Sequence, residues 1–234
     1  MKHTEIVFII DKSGSMSKLA GDTIGGFNGF IESQKALDGK ATLTTVLFDT
    51  SYRTLHDGID LREVKSMTSS DYTAGGGTAM LDAIGDTINK VQDRHDELGE
   101  EKPENVLFVI TTDGEENSSR KFTKSQIEKM IKHQTNGHGW KFMFLGANMD
   151  AVKEAESIGI SSKYATGYTY TSKGVDDVYT TMSCVTSSLR GYGAAADSCI
   201  SGSVTLDDAF DLSTAYKAIE TNASDALATK ISSN

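Results

Sequence analysis

Short apolar runs alternate with longer amphipathic segments along this 234-residue chain. Runs rich in β-branched and aromatic residues, bounded by polar or turn residues, predict strands. We expect four main strands, a short strand that forms an antiparallel hairpin with the strand before it, and a short edge strand. In that order they are Glu5–Ile10, Ala41–Phe48, Asn105–Thr111 and Trp140–Leu145, then Tyr52–His56, then Lys163–Ala165.

Apolar residues at helical spacing mark the segments between these strands. We expect helices from Ser17 to Leu37, from Met80 to Val91, around Ile127–Ile131 with Thr123 as N-cap, around Val152–Ile158 and from Val175 to Leu189. Glycines weaken a helix interior by about 1 kcal/mol each. Gly25, Gly26 and Gly29 in the first helix therefore predict close packing against a sheet. The alternation of strands and helices predicts an α/β fold with a mostly parallel sheet.

The composition changes after Arg190. The segment 191–234 is rich in Ser, Thr, Ala and Asp, with sparse apolar positions, of which Tyr216, Ile219 and Leu227 fit one weak helix. We therefore predict one large domain at 1–190 and an appendix at 191–234.

Composition and charge exclude several classes of function. The chain is 38% hydrophobic and 24% charged, which is typical of a globular domain, and its net charge of −10 lacks any dense basic run. Nucleic-acid and anionic-membrane binding both need a basic surface, so neither is expected. No apolar run is long enough for a membrane span or a signal-peptide core. Two cysteines, Cys184 and Cys199, form no disulfide framework, and we expect a cytoplasmic protein.

The most informative polar residues follow the first predicted strand. Asp11, Ser13 and Ser15 come at alternate positions after the apolar run Ile6–Ile10. Carboxylate and hydroxyl oxygens suit hard cations such as Mg²⁺, Mn²⁺ or Ca²⁺ rather than zinc. One carboxylate and two hydroxyls leave such an ion partly open to another oxygen.

Two further segments carry similar groups. Gly75–Gly77 and Thr78 precede the helix that begins near Met80, and Asp113 follows the strand that ends near Thr111. Ligands of open α/β sheets collect beyond the carboxyl ends of the strands, so we expect Asp11 and Asp113 to converge there. Asp82, in the first turn of that helix, is expected to compensate the helix dipole.

Each of these residues alone also has a local explanation. Asp11 fits a cap of the following segment, and Ser13 and Ser15 fit loop residues with local hydrogen bonds. Thr78 fits an N-cap, and Asp113 before glycine fits a turn. The joint pattern favours a shared site over five separate local roles.

The joint pattern resembles the von Willebrand factor type A domain over about residues 1–190. Asp11-x-Ser13-x-Ser15, Gly-Gly-Thr78 and Thr112-Asp113-Gly114 match the segments that form the metal-ion-dependent adhesion site (MIDAS) of that family. The resemblance implies a doubly wound, mostly parallel sheet with one short antiparallel edge strand and helices on both faces. It also implies that Asp11, Ser13, Ser15, Thr78 and Asp113 hold Mg²⁺, with Mn²⁺ or Ca²⁺ as alternatives.

The resemblance implies a binding protein that is not an enzyme. In the family an acidic residue of a partner protein commonly completes the coordination of the ion, so we expect a partner that offers Asp or Glu. Residues expected around the rim are Met16, Lys18, Asp49, Tyr72, Glu115, Glu116 and Asn148. Glu115 and Glu116 would repel an acidic ligand unless they point away from the ion.

Three alternatives remain open from the sequence. A subunit of an intracellular ATPase-linked machine fits the same residues equally well. A Mg²⁺-dependent phosphatase of the haloacid dehalogenase type needs a second Asp two residues after Asp11, where this chain has Ser13. An EF-hand loop that starts at Asp11 would place Met16 where glycine is needed.

Overall fold

The computed structural model describes residues 2–192, 212, 215–217 and 219–220. Its sheet has six strands in the order β3–β2–β1–β4–β5–β6. They are Thr4–Asp11 (β1), Ala41–Phe48 (β2), Tyr52–Asp60 (β3), Asn105–Thr112 (β4), Lys141–Ala147 (β5) and Ala165–Tyr168 (β6). Only the β2–β3 pair is antiparallel within this sheet. The predicted α/β fold with one antiparallel edge strand is confirmed.

In the described part of the chain, four α-helices connect the strands and a fifth follows β6. They are Ala20–Lys35 (α1), Met80–Leu98 (α2), Lys124–His138 (α3), Ala151–Ser157 (α4) and Ser172–Leu189 (α5). Thr123 caps α3 as predicted, because its hydroxyl accepts the backbone N–H of Gln126 in a reciprocal capping box. Within the described residues, no helix combines the length and the apolar composition that crossing a lipid bilayer requires.

Strand β1 lies at the centre of the sheet and is buried on both faces. Ile6, Phe8 and Ile10 pack into the core that α1 and α5 cover. Val7 and Ile9 pack into the opposite core, beneath α2, α3 and α4. Each such side chain contributes about 1.5–3 kcal/mol through removal from water. This two-sided burial explains the continuous apolar run and fixes where the polar residues after β1 emerge.

Two strands differ from the prediction by more than two residues at one end. β3 continues four residues past His56, because Gly58 adopts a positive φ of 61° at an irregular register and lets pairing resume at Ile59. β6 begins only at Ala165, since Ser162–Tyr164 forms a turn of 3-10 helix. The sequence signals there, Asp57-Gly58 and a Ser-rich segment, resemble ordinary turns.

The glycines of α1 have a different role from the one predicted. A Cβ atom on Gly26 would lie 2.3 Å from Cδ2 of Tyr179, so this glycine admits close contact with α5, and the prediction of contact with the sheet is wrong. Gly25 and Gly29 have no atom within 4 Å of such a position. Only one of the three glycines is therefore required for packing.

Parts of the predicted appendix lie in the described structure. Leu212, Tyr216 and Ile219 are helical and are buried in the core that α1 and α5 cover. Leu227 and Cys199 lie outside the described residues. The division at 190 therefore stays a prediction.

Candidate metal centre

The candidate site lies where two adjacent parallel strands end. Asp11 is the last residue of β1 and is fully buried, and Asp113 directly follows β4. The register pairs Ile10 with Thr111, which brings the two carboxylates to the same edge of the sheet. The predicted convergence of Asp11 and Asp113 is a consequence of this register.

A chain of short hydrogen bonds joins four of the five predicted residues. The backbone N–H of Ser13 donates to Oδ1 of Asp11 at 2.6 Å, and the hydroxyls of Ser13 and Ser15 lie 3.1 Å apart. The Ser15 hydroxyl donates to Oδ1 of Asp113 at 2.6 Å. Asp11 thus makes a local bond to Ser13, but the N-cap residue of the following 3-10 helix Gly14–Leu19 is Ser13. The contact of Ser15 spans 98 residues.

The fifth residue, Thr78, faces the same space. A Cβ atom on Gly114 would lie 3.6 Å from the Thr78 hydroxyl and 3.9 Å from the Ser15 hydroxyl. Thr78 is buried and is not an N-cap, since α2 begins at Met80 after Ala79 without a side-chain capping bond. The three sequence segments therefore bring all five predicted side chains together.

The glycine-rich loop is fitted closely against its neighbours. The N–H of Gly77 donates to the Thr50 hydroxyl at 2.8 Å, and a Cβ on Gly77 would lie 2.3 Å from Oγ of Ser118. Gly76 has a positive φ of 72°, which favours glycine. Glycine at both positions lets this loop approach the tip of the β2–β3 hairpin and the loop after β4.

Backbone N–H groups engage the carboxylate of Glu116. It accepts N–H groups from Leu81 at 2.9 Å, Ser118 at 2.9 Å and Ser119 at 2.7 Å. It therefore caps the start of α2 from a different segment of the chain, whereas Glu115 is exposed.

Asp82 also does more than compensate the helix dipole. Its carboxylate accepts the backbone N–H groups of Arg120 at 2.8 Å, Lys121 at 2.9 Å and Phe122 at 3.0 Å. These bonds hold the loop after β4 against α2. The sequence gives no signal for this contact, because nearly 40 residues separate the partners.

Sequence reasoning missed three supporting hydroxyls. Thr112 donates to Oδ2 of Asp11 at 2.6 Å, Tyr72 donates to the main-chain oxygen of Asp11 at 2.5 Å, and Tyr170 donates to that of Ser15. Only Thr112 had a signal, since it lies inside the quoted motif. Tyr72 and Met16 are buried, so their expected place on the rim is wrong.

Burial raises the pKa of both carboxylates at the centre. For Asp11 the main cause is loss of water, which hydrogen bonds from Thr112 and Ser13 oppose and the charge of Asp113 reinforces. For Asp113 loss of water again dominates, and the Ser15 hydroxyl opposes it. The nearby ammonium of Lys12 is paired with Asp49. The centre therefore favours an added positive charge.

The donor set fits a hard divalent cation. It comprises two carboxylates and three hydroxyls, which are the oxygen ligands that Mg²⁺, Mn²⁺ and Ca²⁺ prefer. Within the part of the chain that the structure describes, no group of three or more His, Cys, Asp or Glu residues is suited to a metal.

Several solved structures are similar to this one in fold. A von Willebrand factor type A protein from Catenulispora acidiphila is 16% identical over 82% of this chain and 43% of its own, with a TM-score of 0.52. The pilus adhesin SpaC from Lactobacillus rhamnosus GG is 13% identical over 78% of this chain and 30% of its own, with a TM-score of 0.59.

The fold is that of a von Willebrand factor type A domain. Proximal thread matrix protein 1 from the mussel byssus also shares it, and that protein has been solved with a zinc-occupied MIDAS motif. It is 14% identical over 76% of this chain and 44% of its own, with a TM-score of 0.53. The present chain spans less than half the length of each of these three structures. By sequence alone, no protein-family model and no curated protein matches this chain.

The type A fold accounts for where the five residues lie. Its neighbours include a pilus adhesin and a protein with a zinc-occupied MIDAS, and at 13% and 14% identity they show the fold alone. The assignment of Asp11, Ser13, Ser15, Thr78 and Asp113 as ligands in this chain stays a prediction.

Proposed function

We propose that this protein is a metal-dependent protein-binding module. In this proposal Asp11, Ser13, Ser15, Thr78 and Asp113 hold a divalent cation, with Mg²⁺ favoured, and a partner protein supplies an Asp or Glu carboxylate. The single observation that carries the proposal is the bonded chain Asp11–Ser13–Ser15–Asp113, with the Thr78 hydroxyl beside it.

The residues around the centre have separate roles in this proposal. Thr112 occupies Oδ2 of Asp11, and the N–H of Ser13 occupies Oδ1, so the carboxylate keeps one orientation. The hydroxyls of Ser13, which is buried, and Ser15, which is exposed, lie 3.1 Å apart. A bound divalent ion would supply an electrophilic position for a carboxylate oxygen from outside. The fixed orientation lowers the entropy lost when the ion binds.

We propose no catalysis at this centre. A phosphatase of the type considered above needs a carboxylic acid two residues after the first Asp, to carry the proton. The chain has Ser13 there, and its hydroxyl is engaged with Ser15 at 3.1 Å. Phosphate esters with Mg²⁺ should therefore be turned over equally slowly by the wild type and by Asp11→Asn. The cytoplasmic location expected from the sequence is part of the same proposal.

Calorimetric titration with Mg²⁺ tests the metal part of the proposal. We expect binding by the wild type and a loss of at least about tenfold in affinity for Asp11→Asn and Ser13→Ala. Asp93→Asn is the matched control, because Asp93 is an exposed carboxylate towards the far end of α2. Equal binding by wild type and Asp11→Asn would contradict the proposal.

Capture experiments test the carboxylate of the partner. Immobilised wild type should retain a protein from lysate in Mg²⁺ and release it in EDTA, and immobilised Asp11→Asn should retain none. Converting lysate carboxylates to amides beforehand should abolish capture. Capture that survives amidation would contradict a carboxylate ligand, and recovery of one abundant ATPase would favour the alternative of an ATPase-linked machine.

A further inference from the structure

The loop that carries Asp11, Ser13 and Ser15 has its main chain fixed from both sides. The N–H of Lys12 donates to the oxygen of Phe48 at 2.7 Å, at the end of β2. The oxygen of Lys12 accepts the N–H of Gly75 at 2.9 Å, and the N–H of Gly14 donates to the oxygen of Gly76 at 3.1 Å. The middle of the loop is therefore held between β2 and the glycine-rich loop.

Two tyrosine hydroxyls hold the ends of the same loop. Tyr72 donates to the main-chain oxygen of Asp11 at 2.5 Å, and Tyr170 donates to that of Ser15. Tyr72 is only 2% exposed and lies in the segment between β3 and α2. Tyr170 lies between β6 and α5, on a different part of the sheet. Because the two anchors belong to separate segments, they resist a change in the length of the loop.

A loop of fixed length favours a small ion. Mg²⁺ needs near-octahedral oxygens at about 2.0–2.1 Å, whereas Ca²⁺ takes more oxygens at about 2.3–2.6 Å in flexible arrangements. Expansion of the ring of hydroxyls around a larger ion would move Ser13 or Ser15. That movement would lengthen the bonds to Tyr170 and to Gly76.

We propose that Tyr72 and Tyr170 are positioning residues that make the centre select Mg²⁺ over Ca²⁺. The inference rests on the proposed function, since it needs an ion at this centre. Neither hydroxyl is a predicted ligand, so both act through the main chain of the loop. Their removal should weaken Mg²⁺ binding more than Ca²⁺ binding, because only the smaller ion needs the contracted loop.

The test compares dissociation constants for Mg²⁺ and Ca²⁺ in the full chain. The variants are Tyr72→Phe, Tyr170→Phe and the double substitution, each of which removes one oxygen atom per site and keeps the ring. Tyr179→Phe is the matched control, because the Tyr179 hydroxyl is buried in the same core and makes no hydrogen bond to the described residues. Thermal melting in EDTA checks that every variant is folded.

We expect the ratio of the Ca²⁺ to the Mg²⁺ dissociation constant to fall at least about threefold in each single variant and further in the double variant. Tyr179→Phe should leave the ratio unchanged. A ratio that stays the same in all variants, whatever happens to the melting temperature, would overturn this inference and leave the proposed function intact. A wild type that binds neither ion would overturn both.

Discussion

The hydroxyl of Ser15 donates to Oδ1 of Asp113 at 2.6 Å, although 98 residues separate the two in the sequence. This bond closes the chain of groups that begins at Asp11. It joins the loop after β1, which contains Ser15, to the loop after β4, which contains Asp113.

Replacement of Ser15 should weaken ion binding without unfolding the protein. Ser15→Ala removes one proposed ligand and the bond to Asp113, and Ser15 is exposed. We expect at least about a tenfold loss of Mg²⁺ affinity and less than about 1 kcal/mol of change in the free energy of unfolding in EDTA. Titration calorimetry and urea denaturation measure the two quantities. Ser17→Ala, also exposed, should change neither.

Asp11→Asn should raise the melting temperature of the metal-free protein. Burial raises the pKa of Asp11 above its ordinary value of 3.8, so the ionised side chain costs stability at neutral pH. A raised pKa in the folded state stabilises the fold below the pKa of the unfolded state. That stability is lost as the pH rises through the folded value. The advantage of Asp11→Asn should therefore be largest near pH 7 and shrink towards pH 4.

Melting curves in EDTA across this pH range measure the effect. Asp93→Asn controls for the removal of one charge from an acidic protein, because Asp93 is exposed on α2. An advantage of Asp11→Asn no larger than that of Asp93→Asn at pH 7 would contradict the assigned cost of burial.

Gly77 should be needed for close packing of the glycine-rich loop, whereas Gly75 should tolerate a side chain. In Gly77→Ala the new Cβ would lie 2.3 Å from Oγ of Ser118 and 2.8 Å from Oδ1 of Asn117. We expect about 1–3 kcal/mol of destabilisation and at least about a tenfold loss of Mg²⁺ affinity, because Thr78 follows directly. Gly75→Ala is the matched control, since nothing lies within 4 Å of its Cβ position. Similar losses in both variants would show that the contact is unimportant.

Asp82→Ala should loosen the loop after β4. The change leaves three backbone N–H groups, those of Arg120, Lys121 and Phe122, without their common acceptor. We expect about 1–3 kcal/mol of lost stability and faster hydrogen exchange at these three amides. Asp86→Ala, which removes a surface ion pair with Lys121, should leave the exchange nearly unchanged. Equal exchange in wild type and Asp82→Ala would refute the anchoring role.

The sequence was sufficient for the presence and order of the six strands along the chain and for the grouping of Asp11 with Asp113, but not for the ends of β3 and β6. Both follow from local patterns, since a two-sided apolar run fixes a central strand and the residue after it lies at the carboxyl edge. The roles of Tyr72, Tyr170 and Asp82 were beyond its reach. Each role depends on contacts between loops that are distant in the sequence. The residues around Tyr72 and Tyr170 give no local signal that their hydroxyls donate to the main-chain oxygens of the loop after β1.

The wrong predictions for the end of β3 and for Gly26 share one physical cause. Asp57-Gly58 has the composition of a turn. The strand nevertheless continues beyond it, because β2 pairs with β3 on both sides, at Thr45–His56 and at Leu43–Ile59. Gly26 fits a contact with the sheet equally well from the sequence, and only the position of Tyr179 decides that it faces α5. Tertiary contacts, which no short window contains, decide both cases.

A crystal grown with MnCl₂ would show whether an ion binds at this centre, since the anomalous signal of manganese identifies the ion. We expect one strong peak between Asp11 and Asp113 that contacts the hydroxyls of Ser13 and Ser15, and no such peak in a crystal of Asp11→Asn. A wild-type crystal without this peak, or with manganese bound only elsewhere, would contradict this expectation.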